Sequence, residues 1–323
     1  MSPPASSALV VPYEIRPSKQ IERRLILEIL QISRDAGYPI PSYQYIGFGG
    51  IKFVDFLLMN RYVGFKAYFS VEQSTDIIRR CQYNKPFGHI KLIHGSVSDF
   101  ILSRHLNKKS VLWLDYDSPI TADVAEDIAS CGAKLKSQSF VFFTINAEPT
   151  RSFRGMKPSA RREFFLKNFK DKAASFVDAD FETSSFPSTV ARTVFRLALN
   201  AFSGRGSIEF IPLVFSLYRD SSWMCTVGGL IDDPLLPRAK KLITLLNDRL
   251  PEFTVDRSKE SYVVVPQTNI TEIERQLLDT VVTQNRKKSK ERKMAMSLGF
   301  TDEYLQQYRS VLRFIPRYIE AAT

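Results

Sequence analysis

Two carboxylates one residue apart, Asp115 and Asp117, end the run "VLWLDYDSP". Four apolar residues lead into them, so the stretch reads as a buried strand with acid at its end. On an extended chain positions i and i+2 share a side, and both carboxylates face one spot. Like charges held that close raise each other's pKa, so such a pair either meets a cation or moves protons. Asn146 and Glu148 follow a second apolar run, "FVFFTINAE".

A second candidate is "YQYIGFGGIKF", residues 43–53, with Gly47, Gly49 and Gly50 around Phe48. Glycine admits close approach of a ligand and tolerates positive φ. A cofactor loop and a tight strand-to-helix turn both fit. A dinucleotide fingerprint fits less well, because the third glycine of GxGxxG is replaced by Lys52. Glu72 and Gln73 end the apolar run "AYFSV", and Glu72 stands 22 residues after Gly50. A carboxylate about 20 residues past a glycine loop can accept both hydroxyls of a ribose. A solvated strand-end glutamate is the plain alternative. In "HGSVSDF", Ser96 and Asp99 have the spacing of a helix cap and first turn. Lys19 and Arg23, four apart, share a helix face. That face either meets an anionic acceptor or is simply solvated.

These residues need elements to hold them. "RPSKQIERRLILEILQISRDAGY" has apolar residues at helical spacing, Ile21, Leu25, Ile29 and Ile32, with Ser18 as the expected N-cap. From Tyr43 to Asn146 strand-like and helix-like segments alternate. The strands are "YQYI", "KAYFSVE", "IKLIHGS", "SVLWLDYD" and "QSFVFFTIN". A helix is expected after each of the first four, the second from Ser74 to about Tyr83. That alternation predicts βαβ units and a buried parallel sheet. "SIEFIPLVFSLYR" and "SSWMCTVGGLI" are joined around Asp220 too closely for a crossover, which predicts an antiparallel hairpin. Residues 148–206 read as a basic helical insert and residues 233–323 as a mostly helical addition, with 261–268 a candidate edge strand. The domain reading is an N-terminal tail and helix (1–40), a central α/β domain (41–232) and a C-terminal appendage (233–323).

Of 323 residues, 44% are apolar and 24% charged, which suits a large globular core and excludes wholesale disorder. A net charge of +11 favours an anionic partner such as nucleic acid. Between Thr150 and Ala174 there are eight basic and two acidic residues, with phenylalanines interspersed, and residues 286–293 read "RKKSKERK". Either stretch can meet phosphates, or can be a solvated surface. Cys81, Cys131 and Cys225 are far apart and odd in number, which fits a reducing cytoplasm. His89, His94 and His105 lack metal-ligand spacing. No signal peptide and no run of about 18 apolar residues is seen, so no membrane span is expected.

Five parallel units closed by an antiparallel hairpin resemble the class I S-adenosylmethionine-dependent methyltransferase fold, a Rossmann-like α/β sheet, over about residues 41–232. The resemblance implies that Gly47, Phe48, Gly49 and Gly50 cradle the cofactor's methionine end. It likewise places Glu72 and Gln73 at the ribose, Ser96 near the adenine, and Asp115 at the cofactor. Asp115, Asp117 and Asn146 are the implied catalytic residues. The pattern's acidic residue two before the first glycine is Tyr45 here. "DYDSP" is not the [N/D]-P-P-[Y/F/W] tetrapeptide of base-modifying enzymes. Mg²⁺, held by Asp115, Asp117, Asn146 and Glu148 as in catechol-type enzymes, is the lesser expectation, because the spacing differs.

The set "RPSKQIERRL", "YIGFGGIKFVDF", "SVEQ", "NKPF" and "LWLDYD" resembles more closely a bacterial family labelled Putative O-methyltransferase. Its recurring positions include Arg16, Lys19, Glu22 and Arg23, so that Lys19 and Arg23 become candidate substrate contacts. The implied activity is methyl transfer from S-adenosylmethionine to an oxygen or nitrogen. The alternative is a cofactor-fold protein that no longer methylates and binds a nucleotide or nucleic acid within a larger assembly, such as a defence or toxin system. An NAD-dependent enzyme ranks last because of Lys52.

Overall fold

The computed structural model describes residues 16–102, 104–149, 151–266, 270–284 and 289–316. The expected tail at 1–12 and part of 286–293 lie outside them. The strands are β1 (Gln44–Gly47), β2 (Ala67–Glu72), β3 (Ile90–His94), β4 (Ser110–Pro119), β5 (Ser139–Asn146), β6 (Glu209–Arg219), β7 (Trp223–Asp232) and β8 (Val263–Val265). They form one sheet in the order β3-β2-β1-β4-β5-β7-β6-β8. The first five strands are parallel, and β7 runs antiparallel to both β5 and β6. This is the expected Rossmann-like methyltransferase sheet. The hairpin is present, but only β7 is reversed, because β7 inserts between β5 and β6. The edge strand expected at 261–268 is the short β8, paired parallel to β6.

Side chains alternate across the sheet, as the strand period requires. Tyr45, Tyr68, Trp113, Phe140 and Phe142 point to one apolar core. Ile46, Phe69, Leu112, Leu114, Val141 and Phe143 point to the other. The result is a three-layer sandwich with helices on both faces.

On the first face lies helix α1 (Pro17–Asp35). Its apolar residues reach beyond a single stripe, with Ile26 and Leu30 buried besides Ile21, Leu25, Ile29 and Ile32. A helix that apolar needs cover on two sides. Here the sheet supplies one, and the C-terminal part of the chain supplies the other. Residues such as Leu278, Val281, Leu305, Tyr308 and Val311 share one apolar cluster with α1 and the sheet. Ser18 is not the cap of α1. Pro17 opens the helix, and Asp220, in the β6–β7 turn, accepts the Ser18 and Lys19 backbone N–H groups at 2.9 and 3.1 Å.

The connections after the first strands carry α2 (Val54–Tyr62), α3 (Ile78–Asn84), α4 (Val97–Leu102) and α5 (Ala122–Lys134). Helix α3 begins four residues later than expected, because the residues after Glu72 turn around the strand end first. The β5–β6 connection carries α6 (Pro158–Phe169) and α7 (Phe186–Ala201). Its phenylalanines are core residues. Phe153, Phe165 and Phe169 are buried with Phe181 and Phe186. Among the described residues no helix is long and apolar enough to cross a membrane.

Candidate functional site

Strands β1 to β4 end at one edge of the sheet, and the residues leaving them line a cavity of about 710 Å³. That is the size of a small-molecule site, roughly 300–1,000 Å³. Its position outside the carboxyl ends of parallel strands is where such sheets bind ligands.

The glycine loop forms one wall. Gly49 donates its N–H to Ser70 Oγ at 3.1 Å. A Cβ on Gly49 would lie 2.5 Å from the Phe53 ring and 2.6 Å from Ser70 Oγ, so only glycine fits. Gly50 has φ +53° and open space around it. Its requirement is conformational rather than steric. Phe53, also left-handed at φ 51°, starts α2 with its ring fully buried. Phe48, Gly49 and Gly50 line the cavity; Gly47, the last residue of β1, does not.

Glu72 and Gln73 line the same cavity from the end of β2. Glu72 Oε1 accepts the Ser74 N–H at 2.8 Å, which fixes the carboxylate at the strand end. Ser96 lines it from β3, and also caps α4 together with Asp99. Asp99 N–H bonds Ser96 Oγ at 3.0 Å, and Ser96 Oγ bonds Asp99 Oδ2 at 2.6 Å. Val71, Ile77 and Val97 add apolar surface to the lining.

The fourth strand brings the acid. Gly47, the last residue of β1, pairs with Trp113, two residues before Asp115 on β4. Asp115 and Asp117 both line the cavity, as the i, i+2 spacing predicts. Tyr116 lines the cavity as well, packing against the second core. Its hydroxyl bonds Asp127 Oδ2 at 2.7 Å, and its ring meets Phe48 edge-on, 5.3 Å between centroids. Burial pushes the Tyr116 hydroxyl pKa far up, and the Asp127 carboxylate adds to the effect.

Asp115 is held from below by α1. Lys19 Nζ lies 2.7 Å from Asp115 Oδ1 and 2.6 Å from Glu22 Oε2, and it sits over the Trp113 ring at 4.9 Å. Glu22 in turn accepts hydroxyls from three strands: Thr144 at 2.7 Å, Tyr218 at 3.0 Å, and Thr226. Arg23 Nε bonds Asp55 at 2.5 Å. Burial alone would lower the Lys19 pKa, but Asp115, Glu22 and Asp55 outweigh it and hold the ammonium above its ordinary value. Burial pushes Asp115 up to about 6. Lys19 opposes that shift, while Glu22, Asp55 and Asp117 add to it.

The expected basic face of α1 is therefore not solvated. Lys19 and Arg23 are each 2% exposed and engaged by carboxylates, and of the two only Arg23 lines the cavity. Asn146 does not reach the cavity either. Its Nδ2 donates to the Asp117 carbonyl at 3.3 Å and its Oδ1 accepts the Glu148 N–H at 2.9 Å. Glu148 Oε2 accepts the Trp223 N–H at 3.1 Å. Asp115, Asp117, Asn146 and Glu148 thus do not converge on one point, and the set does not fit Mg²⁺. Among the described residues no cluster of histidine, cysteine and carboxylate side chains has metal-site geometry.

Asp55, Asp127 and the buried Glu22 had no assigned site role from sequence. The signal for Asp55 was a carboxylate inside the apolar run "FVDFLL". Glu22 offered no such signal, because its three hydroxyl partners come from separate strands.

No curated protein matches the sequence. Solved structures resemble it distantly. The N-methyltransferase NodS from Bradyrhizobium japonicum WM9, in complex with S-adenosyl-L-homocysteine, is 10% identical over 68% of this chain and 90% of its own, with a TM-score of 0.40. The S-adenosylmethionine-dependent methyltransferase SibL in its apo form is 9% identical over 66% of this chain and 55% of its own, with a TM-score of 0.37. LepI in complex with SAM is 10% identical over 59% of this chain and 43% of its own, with a TM-score of 0.35. The chain thus spans less than two thirds of the length of SibL or LepI. The family comparison covers far more: residues 11–323 match the family described as Putative O-methyltransferase, and the chain belongs to that family.

Proposed function

We propose that this protein transfers the methyl group of S-adenosylmethionine to an oxygen or nitrogen nucleophile of a small molecule. The observation that carries this reading is the convergence of Gly49, Glu72 and Asp115, from the ends of three adjacent parallel strands, on one cavity. The donor supplies an electrophilic methyl on a cationic sulfur. Gly49 and Gly50 let the backbone approach its amino-acid end, and Glu72 accepts the ribose hydroxyls. Asp115, fixed by Lys19, orients the acceptor or takes its proton. The rest of the rate enhancement comes from positioning donor and acceptor in line.

Three separate, buried cysteine thiols, Cys81, Cys131 and Cys225, support a reducing, cytoplasmic setting. Isothermal titration with S-adenosylmethionine tests the reading. Binding that weakens by about tenfold or more in Glu72→Ala, the value of one or two hydrogen bonds to a charged group, supports it. Absence of binding, or binding indifferent to Glu72→Ala, sinks it.

A further inference from the structure

A second cavity, of about 1060 Å³, lies between α1 and the C-terminal part of the chain. It shares no lining residue with the cavity at the strand ends. Arg23 lines that one and its neighbour Arg24 lines this one, so α1 stands between the two. The other arginines of the lining come from separate elements. Arg249 ends α8 (Pro237–Arg249), Arg275 stands on α9 (Glu272–Gln284), Arg309 on α10 (Asp302–Val311), and Arg313 in the turn that follows. The lining thus holds five arginines against two carboxylates, Glu252 and Asp279.

Most of what anchors these arginines is neutral. Arg24 Nη1 donates to the Phe314 and Ile315 carbonyls at 3.3 and 3.1 Å. Arg313 Nη2 donates to the Arg249 carbonyl at 2.8 Å, and Arg275 Nη2 to the Pro316 carbonyl at 2.6 Å. A carbonyl fixes a guanidinium without cancelling its charge, and it leaves other N–H groups of the fork to bind. Carboxylates reach two of the five. Arg249 bonds Asp35, and Arg275 Nη1 lies 3.8 Å from Glu272. Arg24, Arg309 and Arg313 are exposed, and among the described residues none of the three is in an ion pair.

Planar guanidinium groups match the oxygens of phosphate, with two N–H groups to each pair. Arginines set on separate elements around one open cavity suit several phosphates in succession rather than one. The only ring in the lining, Tyr308, is fully buried, with its hydroxyl on Asp279 at 2.8 Å, and offers no face on which a base can stack. We propose that this cavity binds a run of phosphate groups, carried by a nucleic-acid strand or by a free polyphosphate. The site is independent of the methyl-donor reading and stands whether or not the other cavity takes S-adenosylmethionine.

The test is fluorescence anisotropy of the full chain with a labelled oligothymidylate, and isothermal titration with sodium tripolyphosphate, each at a series of salt concentrations. At least one probe should bind, less tightly as salt rises. Arg309→Ala removes an exposed guanidinium that no carboxylate depends on, and should weaken binding about tenfold, the scale of a hydrogen bond to a charged group. Arg249→Ala, also exposed, should weaken it likewise. Lys167→Ala loses the same charge from the exposed side of α6 and should change binding less than about twofold, because salt screens distant charges. Binding of the oligonucleotide but not tripolyphosphate assigns the site to a strand, and the reverse assigns it to a free polyphosphate. Failure of both probes to bind would overturn the proposal. So would a loss no larger in Arg309→Ala and Arg249→Ala than in Lys167→Ala, which would mean that only the overall charge of +11 attracts the anion.

Discussion

The ammonium of Lys19, on the first helix, is bonded at 2.7 Å to the carboxylate of Asp115, at the end of the fourth strand and 96 residues away. The same ammonium reaches Glu22 at 2.6 Å, so one buried cation ties the helix to the cavity floor. A buried ion pair is poor evidence of net stabilisation, but removing one partner strands the other.

Lys19→Met therefore leaves Asp115 and Glu22 without their shared cation. The expected loss is about 3–5 kcal/mol in urea unfolding, the usual cost of orphaning a buried charge. A loss below about 1 kcal/mol, the scale of an exposed pair, would show that Lys19 is not the cation that holds this floor.

The glycine loop makes a paired prediction. In Gly49→Ala the new methyl meets the Phe53 ring at 2.5 Å and Ser70 Oγ at 2.6 Å, and these must move. Overpacking of that kind costs about 1–3 kcal/mol and displaces the backbone that faces the ligand. Gly50→Ala meets no atom within 4 Å and only strains φ +53°. Its cost is about 1–2 kcal/mol, from the left-handed conformation. Thermal unfolding combined with donor titration separates them: Gly49→Ala should lose the larger share of binding. Equal loss of binding would contradict the steric account.

The raised pKa of Asp115 has a stability signature. Its carboxyl moves from 3.8 to about 6, chiefly by burial, with Glu22, Asp55 and Asp117 adding to the shift and Lys19 opposing it. A carboxyl raised in the folded state holds protons that the unfolded chain has released. The stability it lends is fully present below pH 3.8 and is lost as pH rises through about 6. Relative to Asp115→Asn, the unaltered protein should lose stability over that window, with a slope of at most about 1.4 kcal/mol per pH unit for one proton. Urea unfolding of both proteins at a series of pH values measures it. A difference that grows in the opposite direction would mean that Lys19 dominates and that Asp115 stays ionised throughout.

Much of the fold was legible because strand-like and helix-like segments alternate from Tyr43 to Asn146, and each strand end carries a polar residue after an apolar run. Gly49, Glu72 and Asp115 emerged that way, since residues that leave adjacent parallel strands must meet at one edge. The position of β7 between β5 and β6 was not legible, because a hairpin motif specifies its partner within the hairpin but not the strand on its other side. The burial of Lys19 and Arg23 was not legible for a related reason. The periodicity of α1 reveals an apolar stripe, but not the sheet end above Lys19 or the C-terminal helices behind it. The Glu22 cluster was hidden altogether, since Thr144, Tyr218 and Thr226 lie 122, 196 and 204 residues away.

The central claim is that the methyl donor occupies the cavity at the ends of β1, β2, β3 and β4. Hydrogen–deuterium exchange of the full chain, with and without saturating S-adenosylmethionine, tests it most directly. The account predicts slowed exchange in residues 48–53, 72–74, 95–98 and 115–118, with the rest of the chain little changed. No protection there, or protection confined to the arginine-lined cleft around Arg249, Arg275 and Arg309, would contradict it.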